Sequence, residues 1–220
     1  MHVQLTASDG HRLSAYRAGP PEATRGLVMV QEIFGVNRHM RNVCDRFAAE
    51  GYAVVCPALF DRVQRDLELT YAPEDVARGR EMRAKVPEAG TMADVEAAAA
   101  ALPPGAARGI IGYCWGGTVA WWGATRSRSF RAAVGWYGGR IAGTRDEAPN
   151  CPAQLHFGDR DHSIPMSDVE LIRAAQPGLE IHVYPGAQHG FGCDERGSYS
   201  AEDYALAQRR SLDFLAKHLG

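Results

Sequence analysis

Six short apolar runs, separated by longer segments of helical periodicity, constrain this chain more than any other feature. The runs at residues 27–30, 53–56, 109–112, 132–135, 153–156 and 181–184 lack strict alternation, the pattern of strands buried on both faces. Between and after them, residues 39–50, 73–85, 92–102, 115–125, 167–175 and 201–219 carry helical spacing. Strand then helix, repeated, predicts an α/β fold with a mainly parallel central sheet and helices on both faces. Ahead of this series, alternation around residues 3–5, the Asp9-Gly10 turn and residues 12–16 read as a β-hairpin. No repeat, linker or long charge run interrupts the chain, so residues 1–220 are expected to form one domain. In such sheets functional loops lie at the carboxyl ends of the strands. The residues that follow each run are therefore the ones to read for chemistry.

Charge and cysteine usage narrow the partners. The formal net charge is −2 and the arginines are scattered among acids, which gives no basic field for a phosphate backbone, so no nucleic-acid partner is expected. No stretch approaches the roughly 20 apolar residues needed to span a bilayer. The first eight residues also lack a basic-then-apolar leader, so a cytoplasmic location with no membrane partner is expected. Cys44, Cys56, Cys114, Cys151 and Cys193 are odd in number and widely spaced, against a disulfide framework or a C-x-x-C metal pair. With no H-x-x-x-H or H-E-x-x-H pair on a helix, neither a metal nor a cofactor is expected. Cys44 and Cys56 read as small buried apolar residues. No apolar stripe demands a partner copy, and a monomer is expected.

Cys114 differs in its local sequence. After the run ending at Ile110-Ile111 comes Gly112-Tyr113-Cys114-Trp115-Gly116-Gly117, followed by the helix-like Thr118-Val119-Ala120. This is the strand, sharp turn and helix context of a G-x-S-x-G nucleophile elbow, with Cys in the Ser position. Glycines at 112 and 116 let the turn tighten, and the helix N-terminus favours a negative sulfur. The bland alternative is a packed structural cysteine in a strand-to-helix turn.

Hydrolases built on such an elbow take their partners in the chain order nucleophile, acid, base. After residues 153–156 comes Phe157-Gly158-Asp159-Arg160-Asp161-His162-Ser163-Ile164-Pro165. Asp161 is read as the orienting acid, with Asp159 as the alternative. After residues 181–184 comes Pro185-Gly186-Ala187-Gln188-His189-Gly190-Phe191-Gly192, which puts His189 where the base belongs, able to take a proton from the nucleophile and return it to a leaving alkoxide. The other histidines, including His39 and His156, read as solvated or packed.

These motifs, together with Gln31-Glu32-Ile33-Phe34-Gly35-Val36-Asn37 and Gly51-Tyr52-Ala53-Val54-Val55-Cys56-Pro57, occur in the order seen in a known family. The chain resembles the dienelactone hydrolases, the carboxymethylenebutenolidase group of cysteine-dependent α/β hydrolases, over nearly its full length. The resemblance implies the α/β-hydrolase fold and a small ester or lactone as substrate. It also implies that Glu32 accepts the thiol proton when substrate binds, so that a neutral Cys114 becomes a thiolate only in the loaded site, and that the amides of Ile33 and Trp115 form the oxyanion hole. Two arginines clamp a substrate carboxylate in this family. Arg80 matches one of them, while the position of the other, four residues beyond His189, is Cys193 here; Arg196, three residues farther on, is the candidate substitute. Phe34 is read as lining the substrate pocket; Trp136, where the family commonly has an aromatic residue, and Tyr137 beside it either line that pocket, the role taken for Trp136, or pack against the sheet.

The sequence thus points to a hydrolase that opens an ester or lactone through Cys114, His189 and Asp161 with a thiol-acyl intermediate. Three other readings stay open: a broad carboxylesterase for uncharged esters, a non-catalytic ligand-binding protein of the same fold, and a redox enzyme pairing Cys114 with Cys193.

Overall fold

The computed structural model of the chain describes all 220 residues. Its eight strands are β1 (His2–Thr6), β2 (Arg12–Ala18), β3 (Arg25–Val30), β4 (Ala53–Pro57), β5 (Ala107–Tyr113), β6 (Ala132–Trp136), β7 (Ala153–Gly158) and β8 (Glu180–Tyr184). They form one sheet in the order β1-β2-β4-β3-β5-β6-β7-β8. The hairpin expected at the start is present. Its register pairs Leu5 with Leu13 and Val3 with Ala15, which places these side chains on one face, where Leu5, Leu13 and Ala15 are buried. β2 then joins β4 antiparallel, and every later pairing is parallel.

Six helices cover the sheet: α1 (Arg38–Ala49), α2 (Pro73–Lys85), α3 (Glu88–Ala100), α4 (Trp115–Arg126), α5 (Met166–Ala175) and α6 (Ala201–Leu219). Asn37 starts α1 by accepting the Met40 N–H at 3.1 Å, as an N-cap should. Residues Trp115 to Ala124 of α4 are all buried, so this helix is apolar around its circumference and sits inside the molecule. α3 begins at Glu88, four residues before the periodicity suggested. Pro87, extended at its N-cap, fixes the start, and the first turn carries no large apolar residue that periodicity could detect. Short 3₁₀ turns at Leu59–Arg62 and Ala142–Thr144 were not foreseen. No helix is long and apolar enough to cross a membrane.

β3 has β4 on one side and β5 on the other, both parallel to it. The chain changes direction across the sheet at that point, and the crevice at a switch point opens at the carboxyl ends of β3 and β5. Glu32 follows the first of these strands and Cys114 the second.

Candidate active site

Cys114 links β5 to α4 with φ 56° and ψ −116°, a strained conformation that non-glycine residues adopt rarely. The positions two residues to either side must be glycine because the backbone closes around them. A Cβ on Gly112 would lie 2.0 Å from the Gly116 carbonyl oxygen, and one on Gly116 would lie 2.2 Å from that of Val30. The turn lifts the half-buried Cys114 side chain above the sheet, at the N-terminus of α4.

Two further loops converge on it. His189, beyond β8, places Nε2 3.2 Å from Cys114 Sγ, and its Nδ1–H donates to Asp161 Oδ2 at 2.7 Å. Asp161 is almost fully buried, and its second oxygen accepts the Ser163 N–H at 2.8 Å. Asp159, the alternative acid, turns the other way and accepts the Gly186 N–H at 2.7 Å, a loop-closing contact. Burial opposes the charged form of His189, but the Cys114 sulfur and the Asp161 carboxylate outweigh it and raise the imidazole pKa to about 10.

Cys114 and His189 open on a cavity of about 280 Å³, lined also by Ile33, Phe34, Trp115, Thr118 and Ser163, and by the arginines Arg80, Arg83, Arg140 and Arg196. The N–H groups of Ile33 and Trp115, two of the lining residues, have no backbone acceptor. α2 brings Arg80 and Arg83 to the wall because Gly79 lets it lie directly on the Ile33 loop, where a Cβ would come 2.1 Å from the Ile33 carbonyl oxygen. Burial, together with the like charge of Arg140, lowers the pKa of Arg83.

Glu32 is fully buried, and the structure does not bring it into hydrogen-bonding contact with Cys114. Its Oε2 accepts the Tyr71 hydroxyl at 2.9 Å, and its Oε1 faces Arg196 Nη1 at 3.7 Å. Arg196 lies 5.9 Å and 5.8 Å from the Phe34 and Tyr71 ring centres. Gly190, at φ +76°, leaves room for that guanidinium, since a Cβ there would lie 2.6 Å from Arg196 Nη1. Cys193 is buried close to the same carboxylate, and burial followed by the Glu32 charge pushes its thiol up to about 12.

The dienelactone hydrolase family profile fits residues 13–219, almost the whole chain. The chain belongs to the dienelactone hydrolase family. A carboxymethylenebutenolidase from Pseudomonas putida is 36% identical over 228 residues, spanning 97% of this chain and 95% of its own. A protein of Synechocystis sp. provisionally named carboxymethylenebutenolidase is 36% identical over 203 residues, 84% of this chain and 82% of its own. Among solved structures, a Klebsiella pneumoniae protein provisionally named dienelactone hydrolase aligns with a TM-score of 0.82 at 34% identity, covering 98% of this chain and 99% of that one. As a dienelactone hydrolase family member the chain is a hydrolase with the α/β-hydrolase fold.

Within this candidate site one expected pocket residue is misplaced. Trp136 is fully buried and does not line the cavity; its indole N–H donates to Ser211 Oγ at 3.1 Å and its ring stacks on Phe191 at 5.6 Å. The physical reason is that residue 136, the last of β6, faces α6, where Ser211 and Tyr204 cover its ring. Tyr137 packs its ring 5.2 Å from His189, so it supports the imidazole. Arg83 and Arg140 were missed. The first stands one helical turn from Arg80, and the second lies in the loop after β6, so both positions carried a readable signal.

Proposed function

We propose that this hydrolase opens an ester or lactone bearing a carboxylate, with Cys114 as nucleophile, His189 as proton carrier and Asp161 as its orienting acid. The observation that carries the reading is the continuous chain from Asp161 through His189 to the Cys114 sulfur at the wall of an arginine-lined cavity. The raised proton affinity of His189 suits it to take the Cys114 proton and carry it. The thiolate attacks the acyl carbon, and the Ile33 and Trp115 amides receive the oxyanion, each such donor being worth on the order of 3 kcal/mol of barrier. When the tetrahedral adduct collapses, the acyl C–O bond breaks and the imidazolium proton passes to the departing alkoxide or enolate, leaving a thioester. Acylation removes the sulfur's negative charge, which was holding the proton on His189. The imidazole can then act as a base toward water, whose attack expels the thiolate and releases the acid.

Arg80 and Arg196 hold the substrate carboxylate, a task suited to the guanidinium fork. Arg196 takes the role of the arginine that Cys193 replaces. A substrate carboxylate competes with Glu32 for Arg196, and the freed Glu32 then provides a second acceptor near the thiol. The substrate is a small molecule, and we place the enzyme in the cytoplasm as a monomer.

The test is hydrolysis of cis- and trans-dienelactone beside a neutral aryl ester, with wild type and Cys114→Ala. A strong preference for dienelactone, with a dead variant, is expected. Turnover of the neutral ester alone would favour a broad carboxylesterase, and no acylation by either substrate would leave only a ligand-binding protein.

A further inference from the structure

Behind Arg196 the structure gathers a buried cluster of which hydrolysis uses only Glu32. Glu32 from the loop after β3, His39 from the first turn of α1 and Cys193 from the loop beyond His189 are all fully buried. One donor atom from each lies within 4.8 Å of the other two. Of the polar atoms here, His39 Nε2 has no hydrogen-bond partner, and Glu32 Oε1 has only the 3.7 Å ion pair with Arg196. A buried polar atom left unpaired costs roughly 1–3 kcal/mol.

The other nitrogen of His39 explains why its Nε2 is bare. Nδ1 lies 2.9 Å from Asp194 Oδ1, and Asp194 Oδ2 is held in turn by Arg46. The carboxylate takes the Nδ1–H, so in the neutral imidazole the Nε2 lone pair faces the cluster. A carboxylate behind a histidine in this way is the usual orienting partner of a metal-ligating imidazole.

We propose that Glu32, His39 and Cys193 form a binding site for a divalent d-block cation, with Zn²⁺ the best fit. Sulfur, imidazole nitrogen and carboxylate oxygen suit Zn²⁺, whereas a thiolate disfavours Mg²⁺ and Ca²⁺. Bonds of about 2.0–2.3 Å to a tetrahedral ion put its donors roughly 3.3–3.8 Å apart, so the cluster closes with side-chain shifts of about 1 Å. Three protein ligands leave the fourth position to water. On binding, the Cys193 S–H bond breaks, its proton passes to solvent, and the sulfur lone pair goes to the cation. The cation displaces Arg196 from Glu32, because both claim Oε1. The site does not depend on the hydrolytic reading.

Cys114 and His189 offer another sulfur and nitrogen, so the test uses metal-free Cys114→Ala protein. Titration with Co²⁺ should give a thiolate-to-cobalt charge-transfer band that saturates at one equivalent. Adding Cys193→Ser or His39→Gln to the same background should abolish it, with circular dichroism confirming the fold. Asp194→Asn, which among the three ligands touches only His39, should weaken Co²⁺ binding about 10–100-fold. Absence of the band in Cys114→Ala overturns the proposal, even if the wild type shows it, since the metal then sits on the Cys114–His189 pair. Persistence of the band after Cys193→Ser in a folded protein overturns it too.

Discussion

Two histidines near the carboxyl edge of the sheet are tuned in opposite directions. His156, on β7, sits between α6 and the sheet, with Nδ1 2.8 Å from Tyr184 Oη and Nε2 2.8 Å from Gln154 Oε1. Burial, with the nearby His182 and Arg210 charges, pushes its pKa well below the ordinary histidine range. His189 meets a carboxylate and a sulfur, and its pKa rises to about 10. Burial lowers both pKa values, so it is the charge of the partners that sends His189 the other way. Neutral partners on both nitrogens make His156 a fixed polar joint. Charged partners and an adjoining cavity give His189 a proton that can move.

The most severe test of this contrast is catalytic. Cys114→Ala and His189→Ala should each lower kcat by about 10⁴-fold or more, and the double variant should be no worse than either single one, as for groups that act as a unit. His156→Ala should do the reverse. It leaves Tyr184 and Gln154 without their imidazole partner and costs about 2–5 kcal/mol of stability in urea unfolding, while kcat per folded molecule stays within about threefold. A loss of kcat with His156→Ala comparable to that of His189→Ala would erase the distinction.

Much of the catalytic half of this comparison was legible in the sequence, and little of the structural half. The elbow around Cys114 could be read because its glycines have a steric cause that shows as spacing. The loops holding Asp161 and His189 could be read because they follow apolar runs in chain order. Choosing Asp161 over Asp159 was a guess about loop direction, which the Gly186 contact of Asp159 explains only in three dimensions. The placement of Trp136 failed because strands buried on both faces show no alternation, so nothing marked which side residue 136 would take. His39, Glu32 and Cys193 are joined only by the fold, and no local pattern announces their meeting.

The arginines extend the contrast to the substrate. Arg196 lines the cavity, whereas Arg210 lies over Tyr184 beside the His156 network, 5.5 Å from the ring centre. Arg196→Ala should raise KM for dienelactone about 10–100-fold, the value of a lost charge-assisted pair of roughly 1.5–3 kcal/mol. A neutral aryl ester should change less than about threefold, and Arg210→Ala should spare KM for both. Equal losses on both esters would mean that Arg196 shapes the pocket without reading charge.

Acidity separates the regions next. His189, with its folded pKa raised, contributes stability that is fully present below about 6.5, the unfolded value, and lost as pH rises through about 10. His156, with its folded pKa depressed, contributes stability present above about 6.5 and lost as pH falls below that value toward its folded pKa. Urea midpoints measured across pH should therefore fall at both ends, and Cys114→Ala should flatten only the alkaline fall, because it removes the sulfur charge. An unchanged alkaline limb in that variant would show that Asp161 alone holds the proton.

The smallest effect falls on the residue that joins the two regions. Trp136 donates to Ser211, which also lies 3.1 Å from His156 Nε2, and its ring stacks on Phe191, two residues beyond His189. Trp136→Phe keeps an aromatic ring and removes the indole N–H, so the loss is one buried hydrogen bond and some packing, about 1–2 kcal/mol. Because the side chain does not reach the cavity, KM for dienelactone and for the aryl ester should both stay within about twofold, with the cost appearing only in the urea midpoint. A selective rise in one KM would mean that this tryptophan transmits the packing of the His156 network to the His189 loop, and the two regions would then have to be treated as one.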